Sequence, residues 1–238
     1  MTSPVSRPLA PHTDVRGMFD RIAERYDTAN RVMSAGVDKR WRKAALAPLL
    51  HTAGDSPCIL DLGAGTLDGA LEIVHKATGA RVAAADFSKR MLHMGSRKLG
   101  ALSARIAPHA ADGHFLPYRG QAFDGVFTAF CVRNLANRPV AFTELRRVLK
   151  PGGSLVVLEF FRPERTRWFF DKFYNRHVLP LVGWAISGDK AAYQYLPNSI
   201  AAFATRTQVE QELRDVGFSQ VTGRDLFPAG VASLVVAR

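Results

Sequence analysis

The stretch from Cys58 to Ala70, Cys-Ile-Leu-Asp-Leu-Gly-Ala-Gly-Thr-Leu-Asp-Gly-Ala, leaves this chain few folds to choose from. The apolar run ending in Asp61 reads as a buried strand. Gly63 and Gly65 then allow a tight turn, and after Thr66 the pattern turns helical, with Ala70, Leu71 and Val74 on one face. Strand, glycine turn and helix open a doubly wound α/β sheet, in which a helix N-terminus and bare backbone face a ligand. The dinucleotide fingerprint G-x-G-x-x-G fails at its last position, where Asp68 stands. A carboxylate there repels a pyrophosphate and suits a ligand carrying an ammonium and a sulfonium.

An acid opening the loop, as Asp61 does in Asp-x-Gly-x-Gly, is the form seen in S-adenosylmethionine-dependent methyltransferases, which this stretch resembles. Another α/β nucleotide fold or a chance glycine turn is the competing reading. The 238 residues suffice for one well-packed domain with an appendage. A net charge of +11 fits an acidic partner (nucleic acid or an anionic membrane surface) or simply a basic proteome. Membrane surface or background fits better than nucleic acid. The basic residues are scattered, and neither a zinc-finger nor an RNA-binding motif is present. Cys58 and Cys131 read as reduced, buried thiols of a cytoplasmic protein, and no metal site is expected. Residues 1–13 read as a disordered tail without an apolar signal core. No run approaches the roughly 18 apolar residues of a membrane span, and Val178 to Ile186 is interrupted by Pro180 and Gly183.

Residues 14–56 read as an N-terminal helical cap. Met18, Phe19, Ile22 and Tyr26 recur at helix spacing, and a second helix carrying Trp41 follows the Ser34-Ala35-Gly36 break. Tyr26 and Trp41 either pack a helical layer onto the sheet or close over the cofactor. Residues 57–238 read as the catalytic domain. Its second strand, Ala80 to Asp86, ends in an acid that either accepts both ribose hydroxyls of an adenosine or caps the helix from Ser88 to Leu99. Phe87 stacks on the adenine edge or belongs to the core. After a third strand, Ala104 to Ala110, Asp112-Gly113 offers an acceptor and a backbone N–H to adenine, or forms a polar turn. A fourth strand, Phe123 to Phe130, leads to Cys131-Val132-Arg133-Asn134, where the transferred methyl should lie. The helix Val140 to Leu149 stops at Lys150-Pro151-Gly152-Gly153 before a fifth strand, Ser154 to Phe160. Residues 162–204 read as a substrate-side insertion or lid. There Trp168, Phe169, Phe170, Phe173 and Tyr174 interleave with Arg165, Arg167, Lys172 and Arg176, as on an anionic bilayer, in a greasy tunnel, or in a packed insertion. A helix from Thr207 to Val216 and strands near Phe218–Phe227 and Val231–Ala237 close the chain as an antiparallel hairpin.

From Met18 to Ala232 the chain resembles the ubiquinone/menaquinone biosynthesis C-methyltransferases, the UbiE/MenG type. The resemblance is carried by Met18-Phe19-Asp20, Tyr26-Asp27-x-x-Asn30, Trp41-Arg42, the Asp61 loop, Asp86-x-Ser88, Arg133-Asn134 and Leu158-Glu159-Phe160. Its most specific parts are Ser187-Gly188-Asp189 and Tyr193-x-Tyr195-Leu196-Pro197-x-Ser199-Ile200. It implies a seven-stranded Rossmann-like methyltransferase sheet with helices on both faces. It also implies Thr66, Asp86, Asp112 and Gly113 as contacts to S-adenosylmethionine, with Ala129 at a position that is usually Ser. The chain departs at Leu67, which replaces a second glycine and narrows the loop. It departs again at Cys131, which replaces a glycine and adds bulk near the acceptor, and at Pro228-Ala229-Gly230-Val231.

The implied reaction is C-methylation of a reduced polyprenyl quinone, a demethylmenaquinol or a methoxy-benzoquinol. Arg133 stabilises the phenolate that forms, and Asn134 holds the ring or an ordered water. Alternatively this pair braces the loop. Proton loss goes through water, since arginine is a poor base, or to Tyr193 or His177. The expected partners are a lipid-soluble quinol, the inner face of the cytoplasmic membrane and a second copy of the chain. Competing readings are methylation of another small aromatic or a phospholipid amine, and a non-catalytic module that binds the cofactor. A nucleic-acid methyltransferase would need an Asn-Pro-Pro-Tyr type loop after the fourth strand, which the sequence lacks.

Overall fold

A computed structural model describes residues 12–34, 36–164, 190–227 and 231–238. The strands are β1 Cys58–Leu62, β2 Arg81–Asp86, β3 Ile106–Ala110, β4 Phe123–Ala129, β5 Leu149–Glu159, β6 Val221–Asp225 and β7 Ser233–Ala237. They form one sheet in the order β3-β2-β1-β4-β5-β7-β6. The first five are parallel, and β7 runs antiparallel to both β5 and β6. This is the doubly wound sheet that the alternation of patterns predicts, with the seven strands and closing antiparallel hairpin that the resemblance implies.

Eight helices flank it among the described residues: α1 His12–Ile22, α2 Tyr26–Met33, α3 Val37–Thr52, α4 Asp68–Lys76, α5 Lys89–Ser96, α6 Arg138–Val148, α7 Lys190–Ala202 and α8 Arg206–Asp215. None is long and apolar enough to cross a membrane. Parallel strands are covered on both faces, so they read as apolar runs, and alternate side chains feed alternate layers. Ile59 and Phe127 pack with Leu46 and Leu49 of α3 and Ile73 of α4. On the other face, Leu60 and Val126 pack with Phe142 and Leu145 of α6 and Leu213 of α8.

Several boundaries differ from the pattern. The segment before the Ser34-Ala35-Gly36 break is two helices, split by a turn at Ala23–Arg25 in which the Arg25 amide bonds the Ile22 carbonyl. The helix expected from Ser88 to Leu99 ends at Ser96, and Ser88 is its N-cap, accepting from the Met91 amide. Strand β5 begins at Leu149, not Ser154. The intervening residues form an irregularity in the pairing with β4, which Gly152, at φ +79°, allows. The two cysteines are free but half-buried. The aromatic and basic stretch through Arg176, His177, Ser187-Gly188-Asp189 and Pro228-Ala229-Gly230 lie outside the described residues, as do the tail up to Pro11 and the side chain of Tyr193.

Candidate functional site

The loop from β1 into α4 is shaped by charge and by missing side chains. Asp61 is wholly buried, and one of its oxygens, Oδ2, has no hydrogen-bond partner among the described residues. Burial, then the nearby Asp86 carboxylate, pushes its acid up to about 7. Gly69 lies so close that a Cβ there would stand 2.8 Å from this oxygen. Gly63, at φ +74°, is pressed against the loop after β4: a Cβ on it would stand 2.4 Å from the Cβ and Sγ of Cys131. The β1–α4 loop and the loop after β4 are thus in direct contact. The Cys131 thiol is pushed up, first by burial and next by Asp86, so it stays protonated.

Asp86 does not cap α5, whose N-cap is Ser88; it ties the loop after β2 to the β1–α4 loop. Its Oδ1 accepts the Ser88 amide and its Oδ2 the Gly65 amide, each at 2.8 Å. Burial raises this acid too. Phe87 is half-buried, with its ring edge-on to Phe19 at 6.3 Å. Asp112 forms the polar turn, accepting the His114 amide at 2.9 Å and facing the His114 Nδ1. The His114 Nε2 accepts the Asn137 amide at 3.1 Å, so the neutral ring carries its proton on Nδ1 and pins the start of α6. Gly113 is buried under Leu62 and Leu135, and Ala129 ends β4 half-buried.

Two expectations about this loop are corrected. The Asp68 carboxylate does not face a ligand: Lys98 Nζ lies 2.7 Å away and Arg42 3.9 Å away. The unneutralised acid is Asp61. Nor does Leu67 narrow the loop. At φ +69° it turns its fully buried side chain toward α5, where a Cβ on Gly95 would stand 2.5 Å from the Leu67 Cγ.

The N-terminal helices touch the site through residues whose roles sequence reasoning missed. Asp20 of α1 accepts the Ser88 hydroxyl, and Asp27 of α2 accepts the Thr66 hydroxyl and the Lys98 ammonium. Thr66, expected at the cofactor, thereby holds α2. Tyr26 sits edge-on to Phe19 at 6.0 Å, and burial pushes its phenol up to about 12. Trp41 does the packing work of a layer helix, its indole donating to the Phe227 carbonyl at 2.9 Å.

On the acceptor side, Arg133 and Asn134 are brought together with residues far along the chain. Arg133 is 4% exposed, and its Nη1 bonds the wholly buried Glu159. Its amide reaches the other Glu159 oxygen at 3.2 Å, and its Nε donates to the Ser199 hydroxyl at 2.9 Å. Asn134 Oδ1 accepts the Tyr195 hydroxyl at 2.8 Å. The Tyr195 ring packs against the cluster of Met18, Ile22 and Ala29, so α7 joins the loop after β4 to the N-terminal helices. Phe130, at φ +57°, stacks on Phe160 at 4.5 Å beside this loop. Glu159 carried a signal in the sequence, since it is a third acid closing an apolar parallel strand, after Asp61 and Asp86.

An orphaned buried carboxylate oxygen beside glycines with bare backbone fits a ligand bearing an ammonium and a sulfonium. Residues 9–237 match the model of the ubiE/COQ5 methyltransferase family. The chain is 42% identical over 232 residues to the ubiquinone/menaquinone biosynthesis C-methyltransferase UbiE of Syntrophotalea carbinolica, covering 97% of this chain and 96% of that one. It is also 42% identical to the demethylmenaquinone methyltransferase of Thermus thermophilus, over 92% of this chain and 98% of that one. The crystal structure of the [4+2]-cyclase SpnF superimposes with a TM-score of 0.72 at 18% identity over 98% of both chains, a likeness of fold alone. The chain belongs to the ubiE/COQ5 methyltransferase family and is an S-adenosylmethionine-dependent methyltransferase.

Proposed function

We propose that the protein methylates a ring carbon of a lipid-soluble quinol, a demethylmenaquinol or a methoxy-benzoquinol, in quinone biosynthesis. The relatives' names supply the acceptor class. The observation that carries the site assignment is the loop Cys131–Asn134, pressed on Gly63 at one end and bonded to Tyr195 and Ser199 at the other. On this reading the acceptor's hydrogen-bonding groups lie beside the cofactor's.

S-adenosylmethionine supplies an electrophilic methyl group when bound. Asp61, Gly63, Gly65, Thr66, Asp86, Phe87, Asp112, Gly113 and Ala129 would hold it, with the Asp61 carboxylate as a counter-charge. With its oxygen held by Tyr195, the Asn134 amide would present its N–H groups to the quinol oxygen and orient the ring. Arg133 lends positive charge to the phenolate as the O–H proton leaves, and Glu159 and Ser199 hold the guanidinium in place. Neither Tyr26 nor Tyr195 can take that proton at neutral pH, because burial raises both phenols. That leaves water, or Tyr193 or His177, to take the proton, and water is the route proposed here. The ring proton lost when the methylated carbon regains aromaticity takes the same route. Helices α1 and α2 act as a cap over the cofactor loop, residues 162–204 as the acceptor-side lid, and the protein works at a membrane surface.

The test is methyl transfer from labelled S-adenosylmethionine to each quinol, with the product's methylated atom located by mass spectrometry. A new carbon–methyl bond on either ring is expected. Cofactor binding by calorimetry together with no transfer to either quinol would remove the acceptor from the proposal.

A further inference from the structure

We propose that the carboxyl edge of the sheet is the face that seats on an anionic bilayer, with Phe115, Val140, Phe227 and Val32 as the side chains that enter it. Four large apolar side chains stand exposed among the described residues: Phe227 at 82%, Phe115 at 77%, Val32 at 52% and Val140 at 39%. Scattered singly over a surface they would need no explanation. They are not scattered.

Phe115 follows β3 in the Asp112 turn. Val140 is in the first turn of α6, which His114 holds to that same turn. Phe227 lies between β6 and β7, and the pairing of Glu159 with Ser233 places that connection beside the carboxyl end of β5. Val32 is in the last turn of α2, just before α3, whose Arg42 bonds Glu72 in α4, the helix that follows the β1 loop. Two of the four come from the α6 side of the sheet and two from the α3 side, so they bracket the site. None lies at the opposite edge, where Arg146, Arg147 and Lys150 line a basic groove.

The charge around them suits a bilayer. Arg31, Lys39, Arg40 and Lys89 are exposed in elements that end or begin at this edge, on a chain of net charge +11. Basic residues beside projecting apolar side chains are the recognition chemistry of an anionic lipid surface. This inference rests on the lipid-soluble acceptor only for its purpose: an enzyme seated this way opens its site toward the hydrocarbon that holds the substrate's tail.

The experiment is cosedimentation of the full chain with vesicles of equal parts phosphatidylglycerol and phosphatidylcholine, against vesicles of phosphatidylcholine alone. The wild type should bind the anionic vesicles and lose affinity with added salt. Each phenyl ring set into the acyl boundary should contribute about tenfold, so Phe115→Ser with Phe227→Ser should weaken binding about 100-fold. Methyl transfer to a short-tailed, water-soluble quinol should not change in that variant. Thermal unfolding confirms that it folds, and Val32→Ser with Val140→Ser serves as a second variant that should weaken binding in the same direction. Unchanged vesicle binding in both double variants would overturn the proposal. So would loss of binding on Arg146→Glu alone, or a dimer that Phe115→Ser and Phe227→Ser dissociate in a chain that ignores vesicles. Vesicle binding without methyl transfer by the wild type would instead remove the acceptor assignment and leave this face standing.

Discussion

Asp61 joins stability and pH in one side chain and, on the proposed function, cofactor affinity as well. Its acid sits at about 7 in the folded protein, against roughly 3.9 for a free aspartate. Between those values the folded chain holds a proton that the unfolded chain releases, so stability falls as pH rises from about 4 to about 7 and is flat beyond. Asp86 and Glu159, raised by burial as well, add to the same slope. The thermal midpoint of the free enzyme should therefore drop between pH 5 and pH 8, and S-adenosylmethionine should lessen the drop. Asp61→Asn should flatten it too, while weakening cofactor binding in calorimetry. A second residue-scale prediction concerns Leu67. A leucine in the left-handed region costs roughly 1–2 kcal/mol, and emptying a buried leucine site costs about 2–5 kcal/mol. Leu67→Gly removes both terms and Leu67→Ala only the favourable packing. Both variants should unfold at lower urea than wild type, and the glycine variant should be the more stable of the two by about 1 kcal/mol.

At the scale of elements, α2 and α7 are the attachments on which the site depends. Asp27 and Lys98 are each about one-third exposed, so their ion pair is screened and contributes less than about 1 kcal/mol. Asp27→Ala should raise KM for the cofactor several-fold, leave kcat near its wild-type value and barely change the unfolding midpoint. Tyr195→Phe keeps the ring among Met18 and Ile22 and removes only the bond to Asn134. Steady-state kinetics should show kcat down by about tenfold or more with the cofactor KM unchanged, the reverse split. The β1 loop was legible because its strand, glycines and helix are neighbours in sequence. The clamps were not: Thr66 meets Asp27 across 39 residues, and Arg133 meets Ser199 across 66. No local pattern encodes such a pair. Thr205 and Gln208, by contrast, form a capping box at the start of α8 whose spacing was in plain view.

For the whole molecule, the doubly wound α/β sheet followed from alternating patterns, whereas the strand order and the end of one segment did not. Lys150-Pro151-Gly152-Gly153 reads as a helix stop, and it is also an irregular first stretch of β5, because β4 offers it a partner 26 residues away. The buried Arg133–Glu159 pair sets how the acceptor side is held to the rest. Removing one partner of such a pair costs about 3–5 kcal/mol. Glu159→Ala and Arg133→Ala should both lower the denaturation midpoint steeply. Glu159→Gln leaves the arginine and its charge in place, so its activity per folded molecule should stay well above that of Arg133→Ala.

The unanswered oxygen of Asp61 also bears on what happens after turnover. In the proposed site, two neighbouring buried acids would attract a ligand with a cationic sulfur more than the same ligand once that sulfur has given up its methyl and become neutral. The electrostatic grip on the spent molecule would then be weaker than the grip on the fresh one. The charge of the loop itself would give each cycle a direction, toward letting go.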